Sequence, residues 1–252
     1  MTRRVLVYGN RDELAAEVGG RIIRTAKRTL AKRQSMNIVL TGGTVGIAVL
    51  AAVGEHPDRD SVEWARVHFW WGDERWVPAG HTDRNDQQAR DALLDGLDLP
   101  ESNIHAFPSS DEGIDLDEGA QRYAAELSAA GDGELPHFDI LLLGVGPDGH
   151  IASLFPERPD LIDAPGSVVA VRNSPKPPPE RLSLTLSAIN TAERVWLALA
   201  GADKASALGL ALAGAGRYEV PVAAAKGTRK TVFFVDQLAA AEVPAELIAS
   251  QY

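Results

Sequence analysis

The run Phe138-Asp139-Ile140-Leu141-Leu142-Leu143 constrains this chain more than any other stretch of it. Four consecutive apolar side chains cannot alternate between a core face and a solvent face. A strand that carries them is buried on both sides, as in a parallel sheet covered by helices. Shorter runs of the same kind recur along the chain. The patterning predicts strands at Val5–Tyr8, Asn37–Thr41, Arg66–Trp71, Phe138–Leu143, Ser167–Val171, Arg181–Leu186, Arg194–Ala200 and Thr231–Val235. Helical patterns lie between them, at Asp12–Arg33, Thr44–Val53, Asn85–Leu94, Leu116–Ala129, Lys204–Leu212 and Pro244–Ser250. Asp12 is the expected N-cap of the first helix, and Pro57, Pro100 and Pro221 punctuate segments that follow helices. Such alternation indicates an α/β fold: a mostly parallel open sheet with helices on both faces, a Rossmann-like three-layer sandwich. With no internal repeat and no sharp shift in composition, the 252 residues read as a single domain spanning 1–252.

Charge and cysteine content exclude several functions. Against 25 Lys and Arg stand 35 Asp and Glu, a net charge of −10. An acidic surface repels nucleic acid and anionic membranes, and on the same logic it disfavours an anionic substrate. The absence of cysteine removes disulfides, thiolate nucleophiles and cysteine-ligated metals. Arg3 and Arg4 precede a short apolar run, but Asn10, Arg11 and Asp12 cut it well below the roughly 7–15 apolar residues of a signal-peptide core. The longest apolar stretch, around Val45 to Val53, falls short of the roughly 18 residues needed to cross a bilayer. The expected compartment is the cytoplasm.

Two glycine loops follow buried strands. Gly144-Val145-Gly146-Pro147-Asp148-Gly149 matches the spacing of a dinucleotide fingerprint, but its context argues against one. Pro156 and Pro159 interrupt any following helix, and Asp148 would face a pyrophosphate. The second loop, Thr41-Gly42-Gly43-Thr44-Val45-Gly46, lacks the Gly-Lys-Ser/Thr ending of a nucleotide P-loop. It still suits a phosphate, because glycines let the backbone approach closely and Thr41 and Thr44 add hydroxyls at a helix start. A tight strand-to-helix turn that simply needs glycine accounts for it as well.

Charged residues collect after other strands. Asp73, Glu74 and Arg75 follow Trp70 and Trp71, in the region where open α/β sheets place ligands; alone, they also read as a solvated turn with an ordinary ion pair. His150 follows the Gly144–Gly149 loop, two residues after Asp148, and an imidazole titrates near about 6.5 in water, which suits acid–base work. A lone histidine is also commonly structural. The other histidines, His56, His68, His81, His105 and His137, show no metal-binding spacing, so no metal site is expected. His68 reads as a core or sheet-face residue. Lys176 and Arg181 bracket Pro177-Pro178-Pro179, whose rigidity can hold a cation in place, although a rigid loop of solvated charges is an equal reading. Lys204, behind Asp203 at the start of a helix, reads as the weakest candidate, with a solvated side chain.

Taken together these blocks resemble the 6-phosphogluconolactonases. The matching segments are Leu40-Thr41-Gly42-Gly43-Thr44, Asp73-Glu74-Arg75-Trp76-Val77-Pro78, the stretch from Gly144 through His150 to Pro156, and the stretch from Pro175 to Arg181. They occur in the family's order, and the resemblance covers essentially the whole chain. It implies a substrate that is a sugar-phosphate lactone, bound with the help of Thr41, Gly42, Gly43, Thr44, Asp73, Lys176, Arg181 and Lys204. It implies Asp148 and His150 as the catalytic pair, and Arg75, Lys176 and Arg181 as neutralising the substrate's anionic groups; Arg75 is also the candidate for countering charge on the carbonyl oxygen. It implies no metal, no organic cofactor, and no nucleic-acid or membrane partner; the expected assembly is a monomer or weak homo-oligomer. Arg84 departs from the serine usual before Asn85, which leaves the contacts of that loop open. Glucosamine-6-phosphate deaminases share the fold and the glycine blocks, but carry an acid five positions after the histidine, where this chain has Phe155. A phenylalanine cannot shuttle a proton, so the resemblance favours the lactonase over the deaminase. A sugar-phosphate sensor domain without turnover is the remaining alternative.

Overall fold

In the computed structural model, which describes residues 3–249, the central apolar run lies in the interior of a six-stranded sheet. The strands of that sheet are β1 (Arg3–Tyr8), β2 (Met36–Leu40), β3 (Val67–Trp71), β5 (Phe138–Gly144), β8 (Arg194–Leu199) and β9 (Lys230–Asp236). Their order is β1-β9-β8-β5-β2-β3, and every neighbouring pair is parallel. In β5 every residue from Phe138 to Leu143 is buried, as the consecutive apolar pattern requires. The long helices are α1 (Arg11–Leu30), α2 (Gly43–Glu55) and α4 (Leu116–Ala130), with shorter α3 (Asn85–Ala92), α5 (Pro159–Ile162), α6 (Leu186–Ile189) and α7 (Ala205–Leu212). Helices α1 and α2 pack on each other. Among the described residues no helix is long and apolar enough to cross a membrane.

The strand order contains a reversal that matters for function. From β2 the chain moves outward to the edge strand β3, whereas from β5 it moves the other way, to β8 and β9. The carboxyl ends of β2 and β5 therefore flank a topological switch point, where connections diverge and leave a crevice.

A second sheet departs from the expectation of one mostly parallel layer. The expected strands near Ser167–Val171 and Arg181–Leu186 form as β6 (Val168–Val171) and β7 (Arg181–Leu184), but they pair antiparallel with each other and with β4 (Asp73–Arg75). Strand β7 stops two residues early because Thr185 caps α6, its hydroxyl accepting from Ala188 N at 3.2 Å. Helix α4 packs on this small sheet. The buried Tyr123 hydroxyl of α4 accepts from Trp71 N at 3.1 Å and donates to His105 O at 3.0 Å, anchoring the chain where β3 gives way to β4.

Two other expectations are corrected. The N-cap of α1 is Asn10 rather than Asp12: the Asn10 side chain accepts from Glu13 N at 2.9 Å, while the Glu13 carboxylate reaches back to Gly9 N, also 2.9 Å. The helix expected at Pro244–Ser250 reduces to a single 3-10 turn, Ala245–Leu247, because Ile248 instead bridges to Val5 at the edge of β1. Ser250 lies outside the described residues.

Candidate active site

The loops that follow β2 and β5 meet over the switch point and line a cavity of about 720 Å³. Helix α2 opens on this cavity with Gly42 as its N-cap. No side chain caps it and no acidic residue occupies its first turn. Its first N–H groups thus present partial positive charge to the cavity, whereas α1 has closed its own N-terminus with Asn10. Thr41 ties the two loops together, its hydroxyl accepting from Gly144 N at 3.2 Å. Thr44 is exposed one residue into the helix.

The loop after β5 is a tight turn, with Gly146 N donating to His150 O and Gly149 N to Gly146 O, both at 2.9 Å. No helix follows it directly, so the fingerprint spacing of its glycines has a different purpose. A Cβ on Gly146 would fall 1.9 Å from His150 Nδ1 and 2.3 Å from Asp148 Oδ1; glycine makes the room in which these two side chains meet. His150 Nδ1 stands 2.5 Å from Asp148 Oδ1. Lys176 Nζ approaches the same pair, 3.3 Å from His150 Nδ1 and 3.6 Å from Asp148 Oδ1. Partial burial works to raise the Asp148 carboxyl, but the hydrogen bond and charge of His150, with the Lys176 ammonium, outweigh it and hold the group well below its ordinary value. Phe155 is buried behind the imidazole, ring centroids 4.8 Å apart.

The Asp73-Glu74-Arg75 segment forms strand β4, a sheet element with Asp73 and Glu74 buried, which excludes the alternative of a solvated turn. Its register with β7 sets Arg75 directly opposite Arg181. Asp73 accepts from Ser153 Oγ at 2.7 Å and faces the cavity beside these cations. Arg75 donates from Nη1 to Asp83 O at 2.6 Å, while its buried Nε has no partner. Arg181 is 5% exposed and grips the proline loop, donating to the carbonyls of Lys176, Pro177 and Pro178 at 3.1, 2.9 and 3.3 Å. It lines the cavity and also holds the loop that carries Lys176. Burial lowers the Arg181 guanidinium from its ordinary value, with Asp73 opposing and Arg75 adding to the effect.

Arg84 points away from the cavity. Its guanidinium donates to Phe107 O at 2.6 Å and to Asp86 Oδ1 at 2.7 Å, and lies 3.9 Å from Glu74 Oε2. The Glu74 carboxylate accepts from Arg75 N, Asn85 N and Asp86 N at 2.8, 2.7 and 2.9 Å. Burial pushes Glu74 up to about 7, against the pull of Arg84 and of those backbone donors. The departure at position 84 thus sits behind the site.

Lys204, expected to be solvated, instead lines the far wall of the cavity, its side chain only 20% exposed and paired with Asp203 at 3.0 Å. Sequence reasoning missed Asn10, Arg11 and Asn85, which also line the cavity. The first two had a signal: they follow β1, at the carboxyl edge where this architecture places ligands. Asn85 had none, because α3 is distant from the glycine loop in sequence. Histidine spacing also missed a cluster at the opposite edge of the sheet. There His137 Nε2 lies 3.3 Å from Glu193 Oε2 and 3.7 Å from Asp139 Oδ1. Arg33, Arg194 and Arg229 already pair with these two carboxylates, which leaves little negative charge for a cation.

The crevice joins an uncapped helix N-terminus, a carboxylate–imidazole pair and five cationic side chains, Arg11, Arg75, Lys176, Arg181 and Lys204, and known proteins resemble this chain over nearly its whole length. The family described as glucosamine-6-phosphate isomerases/6-phosphogluconolactonase matches residues 9–234. The chain belongs to this family. Among its members, a 6-phosphogluconolactonase of Streptomyces coelicolor is 44% identical over 98% of this chain and 97% of its own. A 6-phosphogluconolactonase of Mycobacterium leprae is 42% identical over 97% of this chain and 100% of its own. The crystal structure of the 6-phosphogluconolactonase from Thermotoga maritima superposes with a TM-score of 0.83 at 26% identity, covering 94% of this chain and 100% of that one. Membership of the glucosamine-6-phosphate isomerase/6-phosphogluconolactonase family agrees with the resemblance in the glycine, Asp-Glu-Arg and Asp-Gly-His blocks.

Proposed function

We propose that this chain hydrolyses 6-phospho-D-glucono-1,5-lactone to 6-phospho-D-gluconate, with His150 as general base. The observation that carries the reading is the 2.5 Å contact between Asp148 and His150 Nδ1, in the same cavity as the uncapped start of α2. The phosphate binds at the N–H groups and hydroxyl of Gly42, Gly43 and Thr44, with Lys176, Arg181 and Lys204 supplying positive charge around the cavity. With its proton on Nδ1 and donated to Asp148, the imidazole keeps a lone pair on Nε2 for water. Water attacks the lactone carbonyl carbon as Nε2 takes one of its protons, and Arg75 counters the charge that develops on the carbonyl oxygen. The bond from that carbon to the ring oxygen then breaks, and Nε2 returns the proton to the departing oxygen. The product is an open-chain acid with a free C5 hydroxyl, and its carboxyl ionises to the carboxylate by releasing one proton to water. Lys176, beside Asp148, adds positive charge where the substrate's anionic groups arrive.

The 44% and 42% identical relatives support the lactone as substrate. Phe155, packed behind His150 in place of an acid, supports hydrolysis over ring-opening deamination. A pH-stat assay of 6-phosphogluconolactone opening, with glucosamine 6-phosphate as control, tests the reading. Enzyme-dependent acid release from the lactone is expected. Ammonia release from the amino sugar would assign a deaminase instead, and binding of both without turnover would assign a sensor.

A further inference from the structure

Two adjacent glycines open α2, and they are glycine for different reasons. Gly43 has φ +80°, a left-handed conformation that side chains resist, and nothing lies within 4 Å of the position its Cβ would take. Gly42 has φ −78°, which any residue adopts. What excludes a side chain there is Asn85, whose Oδ1 would lie 1.9 Å from a Gly42 Cβ.

Asn85 comes from a distant part of the chain and is held from two directions. Its side chain donates from Nδ2 to Asp73 O at 2.8 Å, and its backbone N–H donates to the buried Glu74 carboxylate at 2.7 Å. The residue is 2% exposed and lines the cavity, yet its Oδ1 has no hydrogen-bond partner. An unsatisfied buried amide oxygen is an uncommon feature, and it calls for a reason to be where it is. Helix α3 has no side-chain cap from its own N-cap residue; Glu74, across on β4, takes that part by accepting from the first two helical N–H groups.

We propose that Asn85, fixed by Glu74, is a positioning residue: it forms the wall against which the 42–44 turn rests, and so aims the free N–H groups of α2 at the substrate's phosphate. The inference rests on the reading that the phosphate binds at this turn. Asn85 touches the turn and the floor of the cavity rather than the reacting carbonyl, so its loss acts on binding and not on the chemical step.

The test is a double-mutant cycle read in steady-state kinetics and in the inhibition constant of inorganic phosphate as a competitive probe. Asn85→Ala is expected to raise KM and the phosphate inhibition constant together by about tenfold, with kcat changed by less than about twofold. Gly42→Ala, which drives a methyl into Asn85, is expected to raise both by more. In the double variant the methyl has room, so the combined effect is smaller than the product of the two single effects. If Asn85→Ala fails to fold, Asn85→Ser carries the same comparison. An unchanged KM and inhibition constant at position 85, or a strictly multiplicative double variant, overturns the proposal while leaving the phosphate site in place. If Gly42→Ala and Thr44→Ala also leave both constants unchanged, the phosphate lies elsewhere and both readings fall.

Discussion

The loop after β5 and the Asp-Glu-Arg strand β4 face the same cavity, and they hold their carboxylates in opposite ways. Asp148 is partly exposed, bonded to an imidazole and flanked by an ammonium, and its carboxyl is lowered. Glu74 is 1% exposed, bonded to three backbone N–H groups, and its carboxyl is raised to about 7. The first arrangement keeps a charge beside an imidazole, as the proposed proton transfer at His150 requires. The second uses a buried acid as mortar between a strand and a helix. The proposed reactive pair stays where solvent and a neighbouring ammonium ease a change of charge, and Glu74, which holds the strand and helix behind it, is sealed away from water.

Breaking each half should therefore read out differently. The largest effect belongs to His150→Ala, which is expected to lower kcat by about 10²–10⁴ with little change in unfolding free energy, checked by initial rates and urea denaturation. Arg84→Ala reverses that pattern. It strips the guanidinium that bonds Phe107 O and Asp86 and pulls on the buried Glu74, and is expected to destabilise the fold by about 1–3 kcal/mol. A loss of activity at full stability in this variant would place Arg84 in the site after all. Lys176→Ala is expected to act mainly on KM, by about tenfold or more, through loss of one charge-assisted contact. An unchanged KM would remove Lys176 from substrate binding.

The smallest effect is in the pH dependence of stability, and it sharpens the comparison by sign. The raised Glu74 carboxyl binds its proton more tightly in the folded state. Its contribution is complete below its ordinary value of 4.5 and is lost as the pH rises toward about 7. The lowered Asp148 carboxyl contributes above its ordinary value of 3.8 and loses that contribution as the pH falls below it. Unfolding curves across this range should show Glu74→Gln flattening the decline toward neutrality and Asp148→Asn flattening the acid side. The same slope in both variants would erase the distinction between the two halves.

The parallel sheet was legible because β5 has no polar face to mistake, and the two loops at its carboxyl edge were legible because glycine and proline mark them. The second sheet was not. Strand β4 is three charged residues long, with no apolar period to announce it, and only its pairing with β7 buries Asp73 and Glu74. Arg84 carried an uncertain meaning in sequence because a charge reads as surface until a partner is seen; its partners are backbone carbonyls and Glu74, which no local pattern encodes. The cavity-facing position of Lys204 and the wall formed by Asn85 depend on contacts between distant segments. The sequence-level inference that a net charge of −10 disfavours anions fails for a similar reason: charge is averaged along a chain but concentrated in a crevice.

The cross-strand register of Arg75 and Arg181 has a consequence beyond catalysis. Two like charges directly opposite on neighbouring strands repel, and the carboxylates of Asp73 and Glu74 oppose that effect at Arg181. An anion seated between the two guanidiniums would offset that repulsion further. Such an anion would also brace the small sheet, because Arg75 and Arg181 stand on two of its paired strands, and folding stability would then rise with the anion's concentration.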